Sequence, residues 1–290
     1  MAIKFTTTKQ TAGYIKCLIY GESGVGKTTL AKTAPDPIII SSEHRLLSLK
    51  DSDIPVIMIE DHNDLKKAYS FIKNSPKAKK FKTVVIDSIS DIAEAILDYF
   101  REHPVDNNTH PQAAYGALVN ELLPLIKDFR DLQDRHVYAI AKSVREKDQY
   151  TGIVSWAPSM PGRVLGPNLP YLFDFVLPMR IGETKEGKKF RYLQTVADLQ
   201  YNAKECSGNL KPIEKPDLKA LFNKALGVEE NISEVKTEVT SSKEEDSKEK
   251  VEDIKGEDEN FQFENSEDKG GEETIEKEET ENENFEYEEG

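Results

Sequence analysis

Gly21-Glu22-Ser23-Gly24-Val25-Gly26-Lys27-Thr28 is the stretch that decides how this chain reads. It fits the pattern G-x-x-x-x-G-K-[ST] in full, with an apolar run before it at 15–20 and a helix-compatible segment after it at 28–34. Each residue type answers a physical need. Glycines at 21, 24 and 26 let the backbone take positive φ, so that successive N–H groups turn toward one point and can surround a phosphate. The helix that starts below them adds partial positive charge. Lys27 supplies an ammonium able to bridge the terminal phosphates of a nucleotide, and the Thr28 hydroxyl is a ligand for Mg²⁺. Residues 21–28, together with Thr29, are therefore the candidate ATP-binding segment.

A second signal lies downstream. Lys82-Thr83-Val84-Val85-Ile86-Asp87 is an apolar strand that ends in a carboxylate, the form of a Walker B segment, and Asp87 is the candidate partner of Thr28 in holding Mg²⁺. Ser88 follows Asp87, so no acidic residue stands beside it to activate water. Glu43, directly after the run at 37–42, takes that place. Side chains at the carboxyl ends of neighbouring parallel strands converge on one crevice, which would bring Glu43 near the γ-phosphate as a general base.

Around these motifs, short β-type runs at 15–20, 37–42, 56–60, 83–87, 137–141, 173–181 and 190–195 alternate with helical patterns. That alternation predicts an α/β fold, a mostly parallel sheet flanked by helices. Ile89, Ile92, Ala93, Ile96, Leu97 and Phe100 recur at helical spacing over 88–101 behind a Ser88/Asp91 capping pair. A second helix is expected over 114–133, with Leu118, Leu122, Leu125, Ile126, Phe129 and Leu132 on one face and an interruption at Pro124.

The net charge of −14 is segregated. Residues 228–290 hold 26 acidic and 7 basic residues, whereas residues 1–227 hold 27 acidic and 32 basic ones. The segment 228–290 has few large apolar side chains, cannot offset its ordering entropy, and is expected to be a disordered acidic tail behind a single domain at 1–227. No apolar run approaches the length of a membrane span, and no secretory pattern opens the sequence. Cys17 and Cys206 form no disulfide framework, so a cytoplasmic protein is expected. His44, His62, His103, His110 and His136 are scattered without metal-ligand spacing.

The segment Ile38-Ile39-Ile40-Ser41-Ser42-Glu43-His44 resembles the strand-plus-glutamate element of RecA-type recombinases. With residues 21–28, Asp87, the strand 137–141 and Leu169-Pro170-Tyr171-Leu172-Phe173-Asp174, the body from Ile15 to about Leu226 resembles phage-encoded RecA-like nucleotide-binding proteins, which carry an AAA-type ATPase label and are related to single-strand annealing recombinases. The resemblance implies a RecA-like P-loop fold, ATP with Mg²⁺, homo-oligomers with nucleotide between subunits, and single-stranded DNA as partner in recombination or replication. The family's polar sensor position falls here at Lys142 or Ser143, in place of the usual Gln, Asn or His. A basic pair that reaches a neighbour's γ-phosphate falls at Ala203-Lys204-Glu205-Cys206, which keeps Lys204 and has Cys206 at the second position. A single lysine lacks the bidentate geometry of arginine, so slow or DNA-stimulated hydrolysis is expected.

Residues 142–168 are rich in Gly and Pro and carry Lys142, Arg145, Lys147, Tyr150, Trp156 and Arg163. Read as a loop, this stretch offers cations to a phosphate backbone and an aromatic face to unpaired bases. The acidic tail could compete with DNA for the basic body. Alternatively its end, Phe285-Glu286-Tyr287-Glu288-Glu289, could dock a single-strand-binding or replication protein. Two rival readings remain open from residues alone: a P-loop phosphotransferase acting on a small nucleoside or nucleotide, and a non-hydrolysing ATP-gated binding module.

Overall fold

The computed structural model describes residue 7 and residues 13–43, 46–107, 109–147 and 152–228. The expected tail, apart from Val228, lies outside the described residues, as do His44 and Tyr150.

Strand β1 (Lys16–Gly21) is buried along its whole length and forms the centre of the sheet. On one side it pairs in parallel with β5 (His136–Lys147), from Lys16 opposite Val137 to Gly21 opposite Lys142. On the other it pairs in parallel with β7 (Phe175–Glu183). Beyond β5 come β4 (Thr83–Asp87), β2 (Pro37–Ser41) and β3 (Val56–Met58), all parallel. Beyond β7 the sheet turns antiparallel through β8 (Lys189–Gln194) and β9 (Ile213–Glu214). The order is β3-β2-β4-β5-β1-β7-β8-β9.

Alternation along the central strands divides the core in two, because successive side chains leave opposite faces of a sheet. Leu18, Tyr20, Ile38, Ile40, Val84, Ile86, Val137 and Ala139 face a layer of helices α2 (Asp64–Asn74), α3 (Ile89–Glu102) and α4 (Pro111–Arg130). Cys17, Ile19, Ile39, Val85, Tyr138, Ile140 and Leu177 face the other side. There Leu30 of the short α1 (Lys27–Leu30) and Leu218, Leu221, Phe222 and Ala225 of α6 (Leu218–Ala225) cover them. Burial on both faces explains why these strands read as unbroken apolar runs.

Local signals set the helix starts. Ser88 accepts from the Asp91 amide at 3.2 Å and its hydroxyl donates to the Asp91 carboxylate, the reciprocal cap expected for α3. Asp217 caps α6 by accepting from the Ala220 amide at 3.0 Å.

Several expectations need correction. Helix α4 continues through Pro124 as one element of 20 residues. A helix-interior proline costs about 3 kcal/mol, and the buried Leu118, Leu122, Leu125, Ile126 and Phe129 on both sides of it offset that cost. The helix expected over 28–34 is α only over Lys27–Leu30 and tightens to 3₁₀ over Ala31–Thr33. The stretch expected as a loop at 142–168 begins as a hairpin. Strand β5 runs on to Lys147 and pairs antiparallel with β6 (Val154–Pro158), with Ser143 opposite Pro158 and Arg145 opposite Trp156. It then enters the short turn α5 (Leu165–Asn168).

Candidate functional site

The carboxyl edge of the parallel strands gathers the site. Register places Gly21 beside Lys142 and Ser41 beside Asp87, so the ends of β1, β5, β2 and β4 open on one cleft of about 570 Å³. Its walls include residues of the glycine loop, Lys27, Thr28, Glu43, Asp87 and Lys142.

The glycines serve two purposes. Gly24 and Gly26 have φ of 76° and 109°, where any other side chain would be strained. Gly21 has a different reason: a Cβ there would stand 2.7 Å from the Met179 carbonyl oxygen, so β7 packs directly against the start of the loop. Lys27 follows, and its Nζ donates to the Gly21 and Glu22 carbonyls at 2.7 and 2.8 Å. Burial lowers its pKa, against the opposing pull of Asp87, Glu43, Asp91 and Glu22. The Tyr138 hydroxyl donates to the Lys27 carbonyl at 2.8 Å and ties the loop to β5.

Asp87 is 1% exposed. Burial raises its pKa to about 6. Hydrogen bonding from Thr28 and the charge of Lys27 work against that rise, while Glu43 and Asp91 add to it. Its Oδ2 is buried with no hydrogen-bond partner among the described residues. A carboxylate oxygen left unpaired in the interior is costly, and a hard cation is the ligand that satisfies it best. The Thr28 hydroxyl and the Asp87 carboxylate therefore fit Mg²⁺ in donor type and in placement. Glu43 is exposed in the same cleft; its amide donates to the Ser41 hydroxyl at 3.0 Å, which fixes the chain as it leaves β2.

The remaining candidates separate. Lys142 points into the cleft and is ion-paired with Asp91 at 2.6 Å and Glu94 at 2.9 Å. Burial disfavours its charged form, but these two hydrogen bonds outweigh that and raise its pKa. Arg145, Lys147 and Arg163 are exposed on the hairpin and the turn after it. Trp156 is half-buried: it stacks on Tyr201 with ring centroids 6.2 Å apart and packs against the core, while the Arg180 guanidinium lies 3.9 Å over the Tyr201 ring. These contacts anchor the hairpin to the body. Lys204 lies outside the cleft; its Nζ donates to the Phe173 and Pro170 carbonyls at 2.7 and 3.3 Å, and its backbone bridges to Val176.

Sequence reasoning missed three contributors. Ser90, fully buried, donates to the Ser159 carbonyl at 2.7 Å and accepts from the Lys142 amide at 3.0 Å, joining α3 to both arms of the hairpin. Asp91 lines the cleft and pins Lys142. Arg191 of β8 donates its Nε–H to the Val25 carbonyl at 2.7 Å. Ser90 and Asp91 stand only three and four positions past Asp87 at most and were within reach of the motif; nothing local marks Arg191.

A parallel sheet flanked by helices, with a glycine loop at the end of its central strand and a buried carboxylate two strands away, defines a P-loop nucleoside-triphosphate-binding fold. Residues 14–207 match the AAA domain family AAA_24, and the chain belongs to that family. No curated protein matches. Among solved structures, one similar chain is described as a prototypical ATPase from the type III secretion system of pathogenic bacteria. The two are 15% identical with a TM-score of 0.35, and the match covers 61% of this chain and 55% of that one. No helix among the described residues is long and apolar enough to cross a membrane.

Proposed function

We propose that this protein is a RecA-like, magnesium-dependent ATPase that handles single-stranded DNA in recombination, annealing or replication. The observation that carries the nucleotide part is the buried, unpartnered Asp87 Oδ2 beside the Thr28 hydroxyl, at the mouth of a loop whose lysine faces the same cleft.

The loop amides bind the phosphates of ATP, and Lys27 exchanges its two carbonyl partners for phosphate oxygen. Thr28 and Asp87 would hold Mg²⁺, which neutralises charge that develops on the transferred phosphoryl group. Glu43 orients a water and takes its proton as the oxygen attacks the γ-phosphorus; the bond to the bridging oxygen breaks and ADP leaves. Lys204 lies outside this cleft with its Nζ on the Phe173 and Pro170 carbonyls, and the role that the resemblance implies for it, reaching the γ-phosphate of a neighbouring subunit, belongs to the oligomer part of the proposal.

The DNA part rests on narrower support: two exposed cations, Arg145 and Lys147, on a hairpin that continues the cleft strand β5, with Arg163 close behind. Assembly into homo-oligomers, and docking of a replication or single-strand-binding protein by the acidic tail, belong to the same proposal.

ATP hydrolysis with and without single-stranded DNA, with Lys27→Ala as control, tests it. Turnover stimulated by DNA and abolished in the variant is expected. Turnover indifferent to DNA would redirect the reading to a phosphotransferase, and nucleotide binding without any turnover would redirect it to an ATP-gated binding module.

A further inference from the structure

Strands β7 and β8 form a wall against the phosphate-binding loop. The Met179 carbonyl closes on Gly21. At Gly26 a Cβ would stand 3.4 Å from the Met179 Cε and 3.3 Å from the Arg191 Nε. Arg191 lies opposite Ile181 in the antiparallel pairing of β7 with β8, 166 residues along the chain from the carbonyl it meets. Its Nε–H donates to the Val25 carbonyl at 2.7 Å, and it makes no other hydrogen bond or ion pair among the described residues. The side chain is exposed, so packing does not account for that single directed bond.

This hydrogen bond has a consequence fixed by peptide geometry. In a planar trans peptide the carbonyl and the following N–H point in opposite directions. Holding the Val25 oxygen against β8 therefore turns the Gly26 N–H the other way, toward the cleft. Gly26 is also the residue that needs the freest backbone, at φ 109°, and so the one with most to gain from an external clamp. We infer that Arg191 is a positioning residue for nucleotide binding: its hydrogen bond to Val25 presets the Gly26 amide as a phosphate donor before the nucleotide arrives. Preorganisation of this kind raises affinity by removing an ordering cost from the binding step. The inference rests on the nucleotide reading of the loop.

The hydrogen bond and the charge of Arg191 can be separated. Glutamine places its amide nitrogen the same number of bonds from Cα as the arginine Nε, and so keeps a donor at that point without charge. Lysine keeps the charge but carries its nitrogen one bond farther. Equilibrium titration with a fluorescent ADP analogue should show Arg191→Ala weakened about tenfold, the scale of one hydrogen bond at a charged group. Arg191→Gln should stay within about threefold of the parent and Arg191→Lys should resemble Arg191→Ala. Wild-type affinity in Arg191→Ala overturns the inference. So does recovery by lysine with failure of glutamine, which would make the charge the active element. If Arg191→Ala does not fold, the glutamine and lysine variants decide the same question. Failure of the nucleotide reading is distinguishable: the parent would then bind no analogue, or Lys27→Ala would bind it equally well.

Discussion

Asp87→Asn should make the metal-free protein more stable while abolishing its response to Mg²⁺. The Asp87 carboxyl, 1% exposed, is raised from an ordinary 3.8 to about 6, chiefly by burial. At about 1.36 kcal/mol per pH unit, that rise is a penalty of about 3 kcal/mol on the charged form. The attraction of Lys27 and the hydrogen bond from Thr28 are already included in that net figure. Between pH 3.8 and about 6 the folded protein binds a proton that the unfolded chain has released. Stability therefore falls as pH rises through this window, and above it the whole penalty remains. Asparagine keeps the shape and an acceptor for Thr28 but removes the charge. Urea unfolding in EDTA, followed from below pH 3.8 to above pH 6, should show the two proteins diverging through that window. The variant should gain up to about 3 kcal/mol on its alkaline side. Added Mg²⁺ should then stabilise the parent alone. Equal stabilities at neutral pH, or parallel pH profiles, would refute the claim that Asp87 is a buried, uncompensated charge awaiting a cation.

Other outcomes follow from the same placements. Glu43→Gln should bind ATP as the parent does yet release phosphate on the order of a hundredfold more slowly, the scale of one general base; an undiminished rate would remove Glu43 from the chemistry. Replacing Arg145, Lys147 and Arg163 together with alanine should weaken single-stranded DNA binding. The slope of log affinity against log salt should also shrink by about 0.7 for each phosphate that is no longer neutralised. An unchanged slope would take the hairpin out of the interface.

Where the sequence was readable, a local rule was enough. The glycine loop needs only its own eight residues. The Ser88/Asp91 cap needs four, and the strands buried on both faces announce themselves as apolar runs. Residues 142–158 failed because the pairing of Ser143–Lys147 with Val154–Pro158 is antiparallel and half-exposed. Neither strand carries a clean alternation, since Val144 is the one apolar residue of Ser143–Lys147, and Arg, Glu and Lys beside Gly and Pro imitate a loop. The contact of Trp156 with Tyr201 left no local mark because its partner lies far along the chain. The carbonyls that hold Lys204, at Pro170 and Phe173, come from another segment and leave no local mark beside it. Helix α6 was missed for a weaker reason: Asp217 and the spacing of Leu218, Leu221, Phe222 and Ala225 do carry the signal. They stand beside the abrupt change to tail composition, which dominated the reading there.

The charge balance of the cleft bears on the form in which a nucleotide can enter it. Among the described residues, Glu22, Glu43, Asp87 and Asp91 line it against Lys27 and Lys142, and Lys142 is already committed to Asp91 and Glu94. One ammonium and the loop amides must then face a polyphosphate anion in the presence of several carboxylates. Like charges held this close repel strongly where water is partly excluded. A divalent cation reverses the sign of the problem: it turns Asp87, with its unbonded oxygen, from an obstacle into a ligand and neutralises phosphate charge in the same step. On the proposed function the cleft takes a metal–nucleotide pair, and removing Mg²⁺ should weaken binding of the triphosphate itself as well as its turnover.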